Sequence, residues 1–254
     1  MKYIQLIFSP TGGTRKVADA VTKHWDPAVE TVDLSDAGTD FSQCILNEED
    51  VALIALPSYG GRVPAVAVER LHKVHGNSAK CILVCVYGNR AYEDTLAEME
   101  DAARESGFDV VAAISAVAEH SIMHQYAEGR PDAGDLSRLE GFAARIKEKL
   151  DAPQDFGIVR IPGNRPYKKA GGAGLVPKAT KDCISCGLCA VQCPVKAIDP
   201  ANLRSADGKK CISCMRCVTQ CPQNARKING AMVSAASLAI KKACSVRKEC
   251  ELFI

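Results

Sequence analysis

Eight of the thirteen cysteines fall between Cys183 and Cys221, spaced as metal ligands rather than as disulfide partners. Cys183, Cys186, Cys189 and Cys193 form one C-x2-C-x2-C-x3-C-P run, and Cys211, Cys214, Cys217 and Cys221 form a second. Three thiolates this close wrap three corners of an iron-sulfur cube in one loop, while the fourth, before Pro194 or Pro222, reaches across to the other cube. The expectation is two [4Fe-4S] clusters. Cluster one takes Cys183, Cys186, Cys189 and Cys221; cluster two takes Cys211, Cys214, Cys217 and Cys193. A zinc site needs only four ligands and leaves half of the octet unexplained. Gly187 in the first run stands where the second has Met215, so the two clusters are expected to differ in hydrogen bonding and potential. Cys44, Cys81, Cys85, Cys244 and Cys250 follow no ligand pattern, and Cys81 and Cys85 sit in an apolar run as small core side chains.

A second set of residues lies near the N-terminus. Ser9, Pro10, Thr11, Gly12, Gly13 and Thr14 separate an apolar run from a helical pattern, offering hydroxyls and backbone N–H groups to a phosphate. No Lys follows the glycines, which argues against a nucleotide-triphosphate loop and for a monophosphate. A capped helix start is the alternative. Pro57, Ser58, Tyr59, Gly60, Gly61, Arg62, Val63 and Pro64 form another loop, and Tyr87, Gly88, Asn89, Arg90, Ala91, Tyr92, Glu93 and Asp94 a third. A planar apolar ring could stack on Tyr59 and Tyr92, with backbone groups meeting its polar edge. His120 and His124 read as loop histidines, with a proton-donor role as the sharper alternative. Asp132 and Asp135 read as helix-capping carboxylates.

The elements that must position these loops alternate between strand and helix. Strands are expected at Tyr3 to Phe8, Val29 to Leu34, Val51 to Leu56, Cys81 to Tyr87 and Asp109 to Ser115, with helices at Gly13 to Trp25, Pro64 to His75, Glu93 to Ser106 and Leu136 to Leu150. That alternation predicts an open parallel sheet covered on both faces, with its ligand beyond the carboxyl ends of strands one, three and four. From Asp151 to Thr180 the chain is rich in Pro, Gly and Lys (Pro153, Pro162, Pro166, Gly171, Gly172 and Gly174), a connector. Beyond it KDCISCGLCAVQCPVKAI realigns onto KKCISCMRCVTQCPQNAR with an offset of 28 residues, two halves of a pseudo-symmetric unit. Helical spacing of Met232, Ala236, Ala239 and Ile240 predicts a tail that packs back on a neighbour.

The loops SPTGGT, PSYGGRVP and YGNRAYED resemble those of flavodoxins, and joined to the cysteine octet they resemble the prokaryotic flavodoxin-ferredoxin fusion proteins. The resemblance implies an α/β fold: a flavodoxin-like, doubly wound, five-stranded parallel sheet over residues 1–151, and a small α+β bacterial ferredoxin-like two-cluster domain over 177–231. Residues 152–176 are then the connector and 232–254 a helical tail. It also implies FMN, with phosphate at Ser9, Thr11, Gly12, Gly13 and Thr14. The isoalloxazine would lie among Pro57, Ser58, Tyr59, Gly60, Gly61, Tyr87, Gly88, Asn89, Arg90 and Tyr92. Arg62 and Arg90 depart from the acidic flavin surroundings of carrier flavodoxins, either to tune the flavin or to form structural ion pairs.

Charge divides the chain. Residues 1–150 carry 15 basic against 23 acidic side chains, and residues 151–254 carry 17 against 7, balances of −8 and +10. Loaded with two clusters at −2 each, the second half keeps about +6. A basic surface of this kind suits an acidic redox partner protein, or the acidic half itself across a flexible connector that opens and closes. Nucleic acid is disfavoured for want of aromatic interleaving. No run approaches the roughly 18 apolar residues of a membrane span, and a cytoplasmic protein is expected, with a homodimer left open. The function expected is electron transfer between clusters and FMN. A flavin-dependent reductase fed by the clusters and a redox sensor or assembly subunit are the competing readings. No G-x-G-x-x-G fingerprint follows a strand, which disfavours direct NAD(P)H use.

Overall fold

The computed structural model describes residues 1–23, 25, 28–152, 156–171 and 174–254. Pro153 and Gly172 of the connector lie outside the described residues. Six strands form the main sheet: β1 (Tyr3–Ile7), β2 (Glu30–Asp33), β3 (Val51–Pro57), β4 (Lys80–Tyr87), β5 (Asp109–Val117) and β8 (Glu251–Phe253), in the order β2-β1-β3-β4-β5-β8. The first five are parallel. Order 2-1-3-4-5 is the flavodoxin-like doubly wound arrangement, and it places the reversal of strand order between β1 and β3. In β3 and β4 side chains on both faces are buried, which is why VALIALP and CILVCVY read as unbroken apolar runs rather than as alternation.

Helices α1 (Gly13–Thr22) and α4 (Ala133–Asp151) cover one face, where Val17, Val21, Leu139 and Ile146 meet Leu53, Val84 and Ile114. On the other face α2 (Ala65–Leu71) and α3 (Thr95–Glu105) bury Ala67, Leu71, Leu96 and Met99 against Ile54, Leu56 and Leu83. Cys81 and Cys85 are fully buried in that layer, as core side chains. Asp132 caps α4 in a reciprocal capping box with Asp135, so both carboxylates are structural. Asp135, itself buried, is also clamped by Arg130.

The C-terminal part is built on the repeat. Short strands β6 (Lys178–Ala179) and β7 (Arg226–Lys227) pair antiparallel, and α5 (Leu188–Val191) and α6 (Arg216–Thr219) follow equivalent cysteine loops. Gly187 and Met215 both precede these helices in the left-handed region, at φ 79° and 63°. Met215 therefore holds a conformation natural to glycine, with its side chain 2% exposed.

Two features depart from the sequence expectation. The connector does not hang free. Asn164 and Lys168 donate backbone N–H groups to the buried Asp94 carboxylate at 2.8 and 2.7 Å, Arg165 pairs with Asp101 and Glu100, and Tyr167 bonds Asp101. Those hydrogen bonds fix the segment along α3 in place of the open-and-closed connector its Pro/Gly composition predicts. The tail also does more than pack. Helix α7 (Gly230–Cys244) rests on Met123 and Tyr126 after β5, and the chain then runs back so that β8 adds antiparallel to β5. Among the described residues no helix is long and apolar enough to cross a membrane.

Candidate functional site

Three recesses lie in series. Two belong to the cysteines. Cys183, Cys186, Cys189 and Cys221 line one, and Cys193, Cys211, Cys214 and Cys217 line the other. Each set takes three cysteines from one copy of the repeat and the fourth from the other, the crossed grouping expected from the spacing. Among the described residues no group of three or more donors is placed to hold a single metal ion. Two further observations fit thiolate-bound clusters. Ala197 N–H and its repeat counterpart Ala225 N–H point at Cys193 Sγ and Cys221 Sγ, each at 3.2 Å, as donors that would stabilise anionic sulfur. Arg226 lines the first recess and Arg216 the second, each with a buried Nε that lacks a partner. An anionic cluster is the kind of neighbour such orphaned donors require. Burial pushes the Cys214 thiol up to about 12 and the Cys217 thiol up to about 11, so iron must bind them to make them thiolates at neutral pH.

The third recess opens at the carboxyl ends of β1, β3 and β4. Its walls include Thr11, Gly13 and Thr14 from the first loop, Pro57, Ser58, Tyr59 and Gly60 from the second, and Tyr87, Gly88 and Arg90 from the third. The left-handed Gly12 (φ 91°) turns the chain into α1, and Ser9 Oγ accepts the Arg15 N–H at 3.0 Å. Ser9 and Gly12 thus shape the loop without lining the recess. Ser58 Oγ lies 2.7 Å from Thr95 Oγ1. At Gly88 a Cβ would stand 2.7 Å from the His120 ring, so only glycine lets that ring pack against the third loop. His120 Nδ1 accepts N–H groups of Ile122 and Met123 at 3.2 Å, which leaves the proton of the neutral ring on Nε2. Burial, reinforced by His124, lowers the His120 pKa and favours that neutral form.

Other residues expected at the ring have different work. Tyr92 packs edge-on to Tyr87 at 5.2 Å and donates to Glu251, lining a separate recess with Pro162 and Lys248. It does not join Tyr59 in the third recess. Asn89 is buried, donates to the carbonyls of Cys244 and Val246, and accepts from Lys248 N–H, so it fastens the returning tail. Gly61 leaves room for the Glu93 side chain. Arg62 and Arg90 take the ion-pair alternative, Arg62 bidentate on Glu98 and Arg90 on Glu93. His124 pairs with Glu119.

Sequence reasoning missed the partners that close this recess: Ile122 and Met123 beyond β5, Ala236 and Ile240 of α7, and Ile212 and Ser213 from between Cys211 and Cys214. Helical spacing marks Ala236 and Ile240 as a packing face without saying what they cover, and the C-I-S-C identity of the two repeats singles out Ile212 and Ser213. Ile212 lines both the third recess and the second cysteine recess. Tyr59 spans the same wall. Burial raises its phenol well above the ordinary range, and Cys214 is near enough to add to the shift. The units are pinned at this wall. Arg70 donates to Leu34 O and Pro194 O at 2.6 Å, and Arg216 reaches Ser35 and Asp33.

Comparison with known proteins agrees with the cysteine region. Residues 182–226 match the family of 4Fe-4S dicluster domains. No curated protein matches the chain. Among solved structures, the flavodoxin of Megasphaera elsdenii is 19% identical and aligns with 56% of this chain and 98% of its own, at a TM-score of 0.38. Flavodoxin 1 of Bacillus cereus is 14% identical over 58% of this chain and 98% of its own, at 0.42. The chain thus joins a flavodoxin-like parallel α/β sheet, established by its own strand order, to a 4Fe-4S dicluster domain.

Proposed function

We propose that this chain is an electron-transfer protein holding two [4Fe-4S] clusters and one FMN, and that it links single-electron to two-electron chemistry. Ile212 carries the reading, because one side chain is the shared wall of the second cysteine recess and the recess at the sheet edge. Bound FMN would supply the exchange between one- and two-electron steps, and the clusters would supply electrons singly. The chain's own residues position the parts. Thr11, Gly13 and Thr14 offer the start of α1 to a phosphate, Tyr59 and Tyr87 offer aromatic surface to a planar ring, and His120 holds an Nε2 proton at the same recess. Ile212, Ser213, Ala236 and Ile240 narrow the opening. This favours passage of electrons over admission of a second small molecule, and so a carrier over a reductase.

Anaerobic purification with quantitation of iron, sulfide and extracted flavin tests the proposal. About eight iron, eight sulfide and one FMN per chain are expected from two complete ligand sets. Cys189→Ser should chiefly disturb cluster one and Cys193→Ser cluster two. Loss of the same cluster in both variants, or recovery of FAD, would overturn the assignment.

A further inference from the structure

The two halves of the dicluster domain are alike in sequence and unlike in surroundings. An offset of 28 pairs Ile184 with Ile212, Ser185 with Ser213 and Cys186 with Cys214. In the second copy this loop is docked: Cys214 is 8% exposed, and Ile212 and Ser213 form the wall of the sheet-edge recess. In the first copy the same loop faces solvent. Ile184 is 62% exposed, and Cys186 is the exposed member of the octet. Both residues line the first cysteine recess. The contacts that pin the dicluster domain to the α/β unit, at Pro194 and Arg216, come from residues lining the second recess. Helices α5 and α6, which carry Cys189 and Cys217, contact each other and place the two cysteine recesses side by side.

We infer that cluster one is the port through which this protein exchanges electrons with other proteins, and that the flavin recess is reached through cluster two. The inference rests on the function proposed above. The Ile-Ser loop that meets the flavin recess at one end presents the same chemistry to a partner at the other. Its rim selects the partner. Exposed Lys178 stands opposite exposed Lys227 in the β6–β7 pair, Thr180 N–H bonds Ala225 O, and exposed Lys181 follows before Asp182 and Cys183, so this end of the domain carries three ammonium groups against one carboxylate. The partner is therefore a small electron-transfer protein with an acidic docking face. One electron leaves the reduced partner, which is oxidised by one unit, and reduces cluster one. It then passes to cluster two. No bond is made or broken and no proton moves in either transfer. Two electrons in succession, with protons drawn from water, complete the reduction of the flavin.

The test uses the full chain loaded with iron, sulfide and FMN, each quantified first, mixed anaerobically with a reduced acidic [2Fe-2S] ferredoxin as probe. In the Cys211→Ala/Cys214→Ala variant, cluster one should still be bleached by the probe while flavin reduction is lost. Flavin reduction at the wild-type rate would show direct delivery and overturn the inference. In Lys181→Glu/Lys227→Glu, the bimolecular rate with the probe should fall about tenfold and lose its salt dependence, while reduction by dithionite and cofactor content stay as in wild type. An unchanged rate with the probe would overturn the port. A chain that binds no flavin or no clusters fails at the quantitation, before any rate is measured, and that result rejects the proposed function itself.

Discussion

Arg226 offers the sharpest test of how the chain tunes its clusters. Its side chain is 2% exposed and donates to Leu203 O at 2.6 Å and Pro177 O at 2.9 Å, with Nη1 3.7 Å from Cys189 Sγ. None of these partners is a carboxylate, so the positive charge stands uncancelled beside cluster one. The repeat places Ile198 at the equivalent position beside cluster two. Reduction adds one negative charge spread over the cube, whose centre lies beyond the sulfur at roughly 7 Å from the guanidinium; at an effective dielectric of about 20 the attraction is about 2 kcal/mol. For a one-electron couple, 59 mV to the decade, that corresponds to about 100 mV. Arg226→Met should lower the midpoint of cluster one by about this amount and that of cluster two by a smaller one, because Arg226 also acts on Cys217 and Cys211 of the second set. Arg226→Lys, which keeps the charge but not both carbonyl bonds, should recover most of the shift. Potentiometric titration followed by electron paramagnetic resonance reads the two midpoints. The reasoning fails if Met and Lys variants that retain wild-type iron shift equally, or if both clusters move by the same amount.

Other predictions follow from the pinned connector and the recess. Asp94→Ala removes an anionic acceptor of the Asn164 and Lys168 N–H groups and should cost about 2–4 kcal/mol, read as a fall in urea midpoint with early proteolysis near residue 165. The backbone N–H bonds of Lys168 and Asn164 hold the Asp94 pKa below its ordinary value. Its stabilising contribution is thus complete above about pH 4 and is lost as pH falls through the lowered folded value. Hydrogen-exchange protection of residues 159–168, taken relative to the intrinsic rate at each pH, should fall at pH 3 relative to pH 5 and stay constant between pH 6 and 8. Gly88→Ala drives a methyl into the His120 ring and should weaken FMN retention at least tenfold in a fluorescence titration, with the iron content kept. Cluster-to-flavin transfer should be indifferent to protein concentration and to salt between about 0.1 and 1 M, because direct contacts at Arg70 and Arg216 replace long-range attraction.

Strands β1 to β5 and the cysteine grouping were legible because each is local. Apolar runs of strand length and fixed ligand spacing need no knowledge of distant chain. Site residues were legible as loops rather than as side-chain roles. Tyr59 and Tyr92 look equivalent beside glycines, yet Tyr92 turns to Glu251, 159 residues later, and Asn89 turns to Lys248. The composition of residues 151–180 signals flexibility, but Asp94, Asp101 and Glu93 hold it through contacts 64 to 75 residues apart. The opposite charges of the halves were visible. Their use as short, directed bonds at Arg70 and Arg216, in place of diffuse attraction, was not.

Strand β8 gives the dicluster domain an unusual position in the order of synthesis. The α/β sheet receives its sixth strand only after every cysteine of the octet has left the ribosome, since Leu252 pairs with Ile114 across 137 intervening positions of chain. The cluster-binding segment is thereby an insertion, tethered to the same sheet at both ends. A nascent chain stalled before residue 250 would expose the edge of β5 while α7 still rests on Met123 and Tyr126, so the sheet edge is closed only after the cysteine octet has been made.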